Sequence, residues 1–320
     1  MKKVILLFGG ESVEHEVSCK SAQFIYDNID VNSYDLIPIV ISKDGHWYYY
    51  DENDFVNWYK VKYLKKVDNI IEELKSCDIV FNIIHGAYGE DGRIQSLLEL
   101  FHISYVGCDS KTSMICMDKE YTKVFAKEND IPIINYEVLT EKKLNRKREY
   151  PVIVKPANGG SSIGINIAAN KKELKKAYKE ALRYDAKVLI EEYLKVREFE
   201  VALLTNGNTY YMSGIGEVLT NGEFYDYNNK YVNSVETTMC AQIDKNICKR
   251  IYRLVDNIVQ VFNIEGMSRI DFLYDEDNDI IYFNEINTLP GFTAISMYPK
   301  LMQASKIDYR NLISKLLENC

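Results

Sequence analysis

The sequence predicts a mixed α/β and α+β fold, in which an N-terminal doubly wound domain is followed by a region in two parts. Two observations predict it. Up to about residue 118, apolar runs typical of buried strands alternate with segments of helical periodicity, which is the pattern of a doubly wound parallel sheet. From about residue 197 the chain is rich in strand-like segments. We therefore expect three domains, with bounds at 1–118, 119–196 and 197–320.

The N-terminal domain opens on KVILLF (3–8), an apolar run that predicts a buried strand and ends at Gly9 and Gly10. Apolar residues from Val13 to Ile29 keep helical spacing, so a helix follows this strand. Further strands are predicted at 35–42, 78–84 and 103–107, and further helices at 68–75 and 93–101.

The second part begins with a helical segment, MDKEYTKVFAKEND (117–130). It continues with strand-like runs at 136–139, 151–156, 165–168 and 187–194 and a helix at 171–184. The third part contains strand-like segments at 198–205 and 209–218, a polar tyrosine-rich stretch, a helix near 243–262 and a hairpin at 269–292.

Composition and charge limit the classes of partner. The 320 residues are 47% hydrophobic and 27% charged, and the net charge is −8 with a pI of about 5.3. An acidic chain of this kind does not attract nucleic acid or an anionic membrane, so we expect small-molecule partners. Seven scattered cysteines without a C-x-x-C pair predict neither a disulfide framework nor a zinc site. The first apolar run is too short for a secretion signal or a membrane span, and we expect a cytoplasmic protein.

Polar side chains occur at alternating positions in the hairpin RIDFLYDEDNDIIYFNEINTLPGF (269–292). Arg269 and Asn287 are equidistant from the centre of its turn, and so are Asp271 and Glu285. Since alternate side chains of a strand point to one face, pairing in this register gathers these four residues on one face and the apolar residues on the other. Carboxylate and amide oxygens without a nearby thiol or imidazole suit Mg²⁺. A solvated face with cross-strand ion pairs is the alternative.

The segment VKPANGGSSIGI (154–165) has Lys155 at the end of a strand, before a run of small residues. Glycines allow the backbone to approach a ligand closely, and the N–H groups and hydroxyls of such a loop can donate to phosphate oxygens. The run matches neither the P-loop nor the G-x-G-x-x-G pattern, so a flexible hairpin loop is the alternative.

Other polar residues lie where predicted strands end. Glu14 at the start of the first helix and His85 directly after a strand are expected at the carboxyl edge of the N-terminal sheet, where doubly wound folds bind ligands. Glu14 can also be explained by the helix dipole, and His85 by a structural role. Glu191 and Glu198 flank a strand junction, where a carboxylate can accept from an adenine or a ribose or be an ordinary surface acid.

Together these motifs resemble one family, the D-alanine–D-alanine ligases of the ATP-grasp superfamily. The resemblance follows the family's order over nearly the whole chain, through FGGESVEHEVS, HGAYGEDG, MDK, VKPANGGSSIGI, EFYDYNNKY, RIDF and NEINTLPGFTAISMYP. It implies a pre-ATP-grasp N-terminal domain, a two-part ATP-grasp fold and ATP bound between the two parts. Gly159 departs from the family pattern, in which a longer side chain is common, without removing an expected ligand.

The resemblance also implies the residues of the site. Those implied for ATP are Lys119, Lys155, Ser161, Ser162, Glu191, Leu194, Glu198 and Lys230. Those implied for Mg²⁺ are Asp271, Glu285 and Asn287. Those implied for the substrates and for catalysis are Glu14, His85, Ser161, Tyr231, Arg269, Gly291, Ser296 and Met297. Lys230 and Tyr231 belong to a segment, 223–237, that we expect to close over the site.

The activity implied is the ATP-dependent ligation of two D-alanines through an acylphosphate, which supplies a precursor of peptidoglycan. The resemblance implies ATP together with two Mg²⁺ ions, or Mn²⁺ in their place, and a homodimer. The apolar side chain of Met297 favours D-alanine as the second substrate. The alternatives are a D-alanine–D-serine ligase, another ATP-grasp carboxylate–amine ligase, and an idle nucleotide-binding protein.

Overall fold

A computed structural model describes residues 1–50, 65–206, 209–219 and 236–320, which form three β-sheets with helices packed around them. The mixed α/β and α+β class predicted from the sequence is confirmed. Each of the three expected parts contains one sheet, while the bounds between the parts stay a prediction.

The N-terminal sheet has the strand order β3-β2-β1-β4. Its strands are β1 (Lys2–Gly9), β2 (Tyr34–Ile41), β3 (Trp47–Tyr49) and β4 (Ile79–Asn82). β1 lies parallel to β2 and β4, and β3 returns antiparallel to β2. Alternate side chains of β1 enter two different hydrophobic clusters, one on each face of the sheet, which is why this strand is apolar throughout.

Three helices cover this sheet: α1 (His15–Asn28), α2 (Ile70–Lys75) and α3 (Arg93–Leu100). The strand predicted at 103–107 is wrong, because Tyr105 forms an isolated bridge with β4 instead of a ladder. Positive φ angles at His102 (55°) and Gly107 (117°) bend the chain out of the extended conformation on both sides of the bridge.

The helix predicted at 117–130 is α5 (Lys119–Glu128), and α4 (Ser110–Met117), which is not predicted from the sequence, precedes it. Asp118 separates them because its backbone is extended and its carboxylate accepts hydrogen bonds from the N–H groups of Glu120 and Tyr121. Such an N-cap starts a new helix, so Lys119 lies in the first turn of α5.

The middle sheet is antiparallel and has the order β5-β8-β6-β7. Its strands are β5 (Tyr136–Leu139), β6 (Val152–Pro156), β7 (Asn166–Ala168) and β8 (Val188–Glu192). Helix α6 (Lys171–Ala181) packs on one face through an apolar stripe at helical spacing.

The C-terminal sheet is antiparallel and has the order β11-β10-β9-β12-β13. Its strands are β9 (Arg197–Asn206), β10 (Thr209–Leu219), β11 (Glu236–Thr238), β12 (Met267–Asp275) and β13 (Ile280–Asn287).

The last three helices are α7 (Lys245–Phe262), α8 (Met297–Ala304) and α9 (Tyr309–Glu318). Helix α7 packs on one face of the C-terminal sheet. Helices α8 and α9 share a hydrophobic cluster with β1 and α1 of the N-terminal part. This common core brings the carboxyl edge of the N-terminal sheet close to the hairpin of β12 and β13. Among the described residues, no helix has the length and apolar character needed to cross a membrane.

Candidate active site

The predicted hairpin register is confirmed. Arg269 on β12 pairs with Asn287 on β13, and Asp271 pairs with Glu285. The apolar residues of β12 lie on the opposite face, in the core beneath α7: Ile270, Phe272 and Tyr274. The hairpin therefore separates a polar face from an apolar one, as the alternation of its sequence predicts.

A bulge makes this register possible. Asp275 pairs with Ile280 at the turn, so an unbroken ladder would set Asp271 against Asn284. The ladder instead shifts by one residue between these two places, which leaves Asn284 as the extra residue and Glu285 opposite Asp271. The equal spacing seen in the sequence is thus correct near the site and fails near the turn.

Arg269 forms a two-point ion pair within its own strand. Its Nε lies 2.7 Å from Oδ1 of Asp271, and its Nη2 lies 2.6 Å from Oδ2. The same Nη2 lies 3.2 Å from Oε1 of Glu200 on β9, and Asn287 donates to Oδ2 of Asp271 at 3.0 Å. Burial disfavours the charge of Arg269, but the two carboxylates outweigh burial and raise the pKa of Arg269 well above its usual value.

The polar face of the sheet fits a hard divalent cation. Glu198, Glu200 and Asp271 each present a carboxylate oxygen, and these oxygens lie within 4.8 Å of one another. Glu285 and Asn287 add a carboxylate and an amide from the neighbouring strand. An all-oxygen donor set of this kind suits Mg²⁺ or Mn²⁺.

Lys119 lies between the hairpin and the glycine-rich loop. Its Nζ donates to the carbonyl of Gly159 at 2.6 Å and lies 4.0 Å from Oε2 of Glu285. Burial lowers the pKa of Lys119, although the charge of Glu285 opposes this shift. A phosphate between the loop and the hairpin would be within reach of this ammonium.

The carboxylate of Glu191 is held between two lysines. Its Oε2 lies 2.7 Å from Nζ of Lys155, and its Oε1 lies 3.1 Å from Nζ of Lys123. Burial would raise the pKa of Glu191, but the two ammonium groups outweigh burial and lower it. Both oxygens thus face lysines, and the contact of Glu191 with adenine stays a prediction.

The glycine-rich loop reaches the N-terminal sheet through a serine. Ser161 and Ser162 adopt left-handed backbone conformations, with φ of 54° and 57°, which are uncommon outside glycine. In this conformation the Ser161 hydroxyl donates to the carboxylate of Glu14. Both side chains are buried, so the structure brings together two residues that are far apart in the sequence.

Glu14 and His85 both lie at the carboxyl edge of the N-terminal sheet, as expected. The Nε2 of His85 is 2.9 Å from the Ser21 hydroxyl, and its Nδ1 is 3.1 Å from the carbonyl oxygen of Leu289. The Ser21 hydroxyl also accepts from the N–H of Phe292 at 3.1 Å. His85 therefore ties the N-terminal part to the segment after β13, and its contact with a substrate stays a prediction.

The segment between β13 and α8 is folded tightly around Ser296. The Ser296 hydroxyl accepts from the N–H of Thr293 at 3.0 Å and lies 2.7 Å from the Thr293 hydroxyl. A Cβ atom at Gly291 would lie 3.0 Å from the Ser296 hydroxyl, so a side chain there would crowd the turn. The next residue, Met297, is buried against Gly216 of β10, within the core cluster.

A cavity of about 590 Å³ opens beside Glu14. It is lined by the N-terminal part, by α4 and α5, and by the loop that contains Asn158 and Gly159. A volume of this size is ordinary for a small-molecule site.

Leu194, which the sequence predicts to contact ATP, is half-buried between β8 and β9. Lys230 and Tyr231 lie outside the described residues.

Sequence reasoning missed Lys123 and Glu200. Lys123 is four residues after Lys119, a spacing that gives two helical residues one face, so its neighbour could have indicated it. Glu200 faces Asp271 because β9 pairs with β12, and local sequence does not reveal which distant strands pair.

Family models match most of the chain. Residues 3–108 match the model described as "D-ala D-ala ligase N-terminus", and residues 125–318 match "D-ala D-ala ligase C-terminus". The D-alanine–D-alanine ligase of Caldicellulosiruptor bescii is 42% identical, over 98% of this chain and 94% of that protein. The ligase of the same name from Clostridium acetobutylicum is also 42% identical, over 99% of this chain and 97% of that protein.

Solved structures agree in fold. The D-alanine–D-alanine ligase from Coxiella burnetii aligns with a TM-score of 0.86 at 31% identity, over 100% of this chain and 95% of that one. The VanG D-Ala:D-Ser ligase from Enterococcus faecalis aligns with a TM-score of 0.88 at 32% identity, over 99% of this chain and 98% of that one. By its motifs, its fold and these matches along its length, the chain belongs to the D-alanine–D-alanine ligase family.

Proposed function

We propose that this chain joins two D-alanines to D-alanyl-D-alanine by way of an acylphosphate, with ATP converted to ADP and phosphate. The observation that carries the proposal is the hairpin register, which aligns Arg269, Asp271, Glu285 and Asn287 on one face beneath Lys119. Such a face has both requirements of phosphoryl transfer to a carboxylate, which are oxygen ligands for a metal and cations for the transferring group.

The chemistry proceeds in two steps. A carboxylate oxygen of the first D-alanine attacks the γ-phosphorus of ATP, ADP leaves, and an acylphosphate forms. The amine of the second D-alanine attacks the acyl carbon, and phosphate leaves from the tetrahedral intermediate. The attacking amine nitrogen loses one proton and keeps the other as the N–H of the new amide. No side chain needs to act as a covalent nucleophile in this sequence.

We assign the metal to Asp271, Glu285 and Asn287. When bound, two Mg²⁺ ions, or Mn²⁺ in their place, would offset the negative charge on the phosphates. Lys119 and Lys155 would contact the same phosphates, together with the Ser161 and Ser162 end of the loop and Lys230. The Leu194 and Glu198 segment would meet the adenosine.

We assign the stabilisation of the tetrahedral oxyanion to the Arg269 guanidinium and the Gly291 N–H. Glu14 would bind the ammonium of the first D-alanine, held in place by its hydrogen bond with Ser161. Ser296 would orient the substrate carboxylate. Tyr231 belongs to the segment 223–237, which would exclude water from the acylphosphate.

We propose D-alanine as the second substrate, with the apolar Met297 beside its pocket. D-alanine–D-serine ligation is the second candidate, because the Enterococcus faecalis neighbour is named a D-Ala:D-Ser ligase. An apolar pocket rejects an added hydroxyl only by about a hundredfold, so the two amino acids have to be compared directly.

The test is an assay of ADP release and product identity. Purified protein receives ATP, Mg²⁺ and D-alanine, with or without equimolar D-serine. We expect ADP release that requires D-alanine, and D-alanyl-D-alanine as the main product in both mixtures. A product with mostly D-serine at its C-terminus would overturn the second-substrate assignment, and ADP release without any dipeptide would overturn the ligase assignment.

We further propose a cytoplasmic homodimer that supplies peptidoglycan synthesis and binds neither nucleic acid nor membrane. The net charge of −8 supports the absence of polyanionic partners. Sedimentation of the purified protein over a tenfold concentration range tests the dimer.

A further inference from the structure

Lys123 is a buried lysine without an assigned role. Its side chain is 2% exposed, on the inner face of α5. Lysine is almost never fully buried unless its charge is paired, because removing an ammonium group from water is costly. The pairing partner of Lys123 therefore indicates what the burial is for.

That partner, Glu191, is shared. The Glu191 carboxylate contacts Lys123 through one oxygen, at 3.1 Å, and Lys155 through the other, at 2.7 Å. Lys119 lies close by, with its Nζ 4.0 Å from Oε2 of Glu285. These five residues hold three ammonium groups and two carboxylates, so the cluster carries one positive charge more than it neutralises.

Burial and the neighbouring charges change the pKa of Lys123. Burial lowers the pKa of Lys123, and the neighbouring charge of Lys155 lowers it further, against the opposing effect of Glu191. A group of side chains with a net positive charge favours the binding of an anion. The loop that follows Lys155 contains backbone N–H groups and hydroxyls suited to phosphate, which indicates the class of anion.

We propose that Lys123 is a positioning residue for the nucleotide: by neutralising the charge of Glu191, it leaves the charge of the Lys155 ammonium to offer to a phosphate. This inference rests on the proposed function, in which Lys155 contacts ATP. Without Lys123, Glu191 and Lys155 form a neutral one-to-one pair. The charge of Lys155 is then neutralised by Glu191 and attracts a phosphate less strongly. The nucleotide then loses the benefit of a charge-assisted hydrogen bond although no residue that touches it has changed.

A purely structural role makes different predictions. If Lys123 only ties α5 to β8, its removal lowers the thermal stability of the free protein and leaves the affinity for nucleotide unchanged. If Lys123 positions Lys155, its removal costs little stability, because Glu191 keeps Lys155 as a partner, and the affinity for nucleotide falls.

The experiment compares Lys123→Met with Lys123→Arg and Lys127→Met. Lys127 lies one turn further along α5 and is exposed, so it controls for the loss of a lysine from this helix. Calorimetric titration with ADP and Mg²⁺ gives Kd, thermal melts give Tm with and without ADP, and steady-state assays give KM for ATP and kcat.

For Lys123→Met we expect a Kd raised about tenfold or more, which is the size of one lost charge-assisted hydrogen bond, and a smaller rise of Tm with ADP. KM for ATP should rise more than kcat falls. Lys123→Arg should recover most of the affinity, and Lys127→Met should match the wild type. An unchanged Kd for Lys123→Met, with a lowered Tm, would overturn the proposal.

A replacement variant and a parallel activity assay complete the experiment. If Lys123→Met does not fold, Lys123→Gln replaces it, since glutamine is polar but carries no charge. A wild-type Kd for Lys123→Gln would then overturn the proposal. The wild-type assay of dipeptide formation runs in parallel, so a protein that binds ADP but makes no dipeptide contradicts the proposed function and leaves the affinity comparison valid.

Discussion

At the scale of single residues, Arg269 combines a structural and a proposed catalytic role. It is buried against Asp271 and Glu200, and its guanidinium forms an ion pair with each of these carboxylates. A guanidinium held at two points by Asp271 has a fixed direction, which suits a group that has to meet an oxyanion at one place. Removal of Arg269 should therefore lower both the stability of the protein and its turnover rate.

We predict that Arg269→Met lowers kcat about a hundredfold, the usual cost of a lost oxyanion donor, and also lowers Tm because the carboxylates of Asp271 and Glu200 lose the guanidinium that contacts them. Adding Glu200→Gln removes one of those charges. The double variant should regain part of the Tm and none of the kcat. Thermal melts and steady-state assays of both variants check this; recovery of turnover in the double variant would contradict the role given to Arg269.

We predict that Glu285→Gln abolishes turnover with little change in stability. The Glu285 side chain is 32% exposed, so removing its charge leaves the fold intact, whereas a lost ligand weakens metal binding and transition-state stabilisation by several kcal/mol in total. Glu276→Gln in the exposed turn of the same hairpin is the control. The measurement is ADP release as a function of Mg²⁺ concentration, and near-wild-type rates at saturating Mg²⁺ would show that Glu285 is not a ligand.

The identities of the site residues could be predicted from the sequence better than their contacts. The alternation of polar residues in the hairpin gives the correct pairing of Asp271 with Glu285. The two-point ion pair of Arg269 with Asp271 depends on rotamers, and the approach of Glu200 depends on a third strand. Neither is encoded in local spacing.

At the scale of elements, the hairpin shows how a bulge sets a site. In β13 the buried residues are Ile281, Phe283 and Ile286, so the spacing changes from two residues to three. This change marks the bulge at Asn284 and could have been seen in the sequence as a skipped apolar position. The break between α4 and α5 also has a sequence signal, because Asp118 is a good N-cap residue.

The turn of the hairpin carries a pH-dependent contribution to stability. Asp275 accepts from the Asn278 side chain at 2.8 Å and from its backbone N–H at 3.1 Å, and these bonds lower the pKa of Asp275. Because folding lowers the pKa of Asp275, its contribution to stability is fully present above its pKa in the unfolded state, about 3.9. The contribution is lost as the pH falls through its pKa in the folded state.

We therefore predict that Asp275→Asn is less stable than the wild type near neutral pH and that the difference shrinks below about pH 4. Urea unfolding midpoints measured from neutral to acidic pH check this, with Asp277→Asn at an exposed position of the turn as control. A stability difference that stays constant over the whole range would show that the Asp275 charge does not stabilise the turn.

At the scale of the whole molecule, the fold class follows from the rhythm of strands and helices, while the arrangement of the parts does not. Helices α8 and α9 join β1 in one hydrophobic cluster, and His85 contacts the carbonyl of Leu289 across more than half the chain. These contacts join segments from the two ends of the sequence. Periodicity reports which face of each element is apolar, and it does not report which distant face covers it.

Ligation through an acylphosphate requires this molecule to transfer a phosphoryl group from ATP to the carboxylate of D-alanine. The most direct test uses D-alanine labelled with ¹⁸O in its carboxylate, with mass analysis of the phosphate released during ligation. An acylphosphate leaves one carboxylate oxygen on phosphorus, so we predict one ¹⁸O in each phosphate, matched by one dipeptide. Unlabelled phosphate released alongside the dipeptide would contradict it.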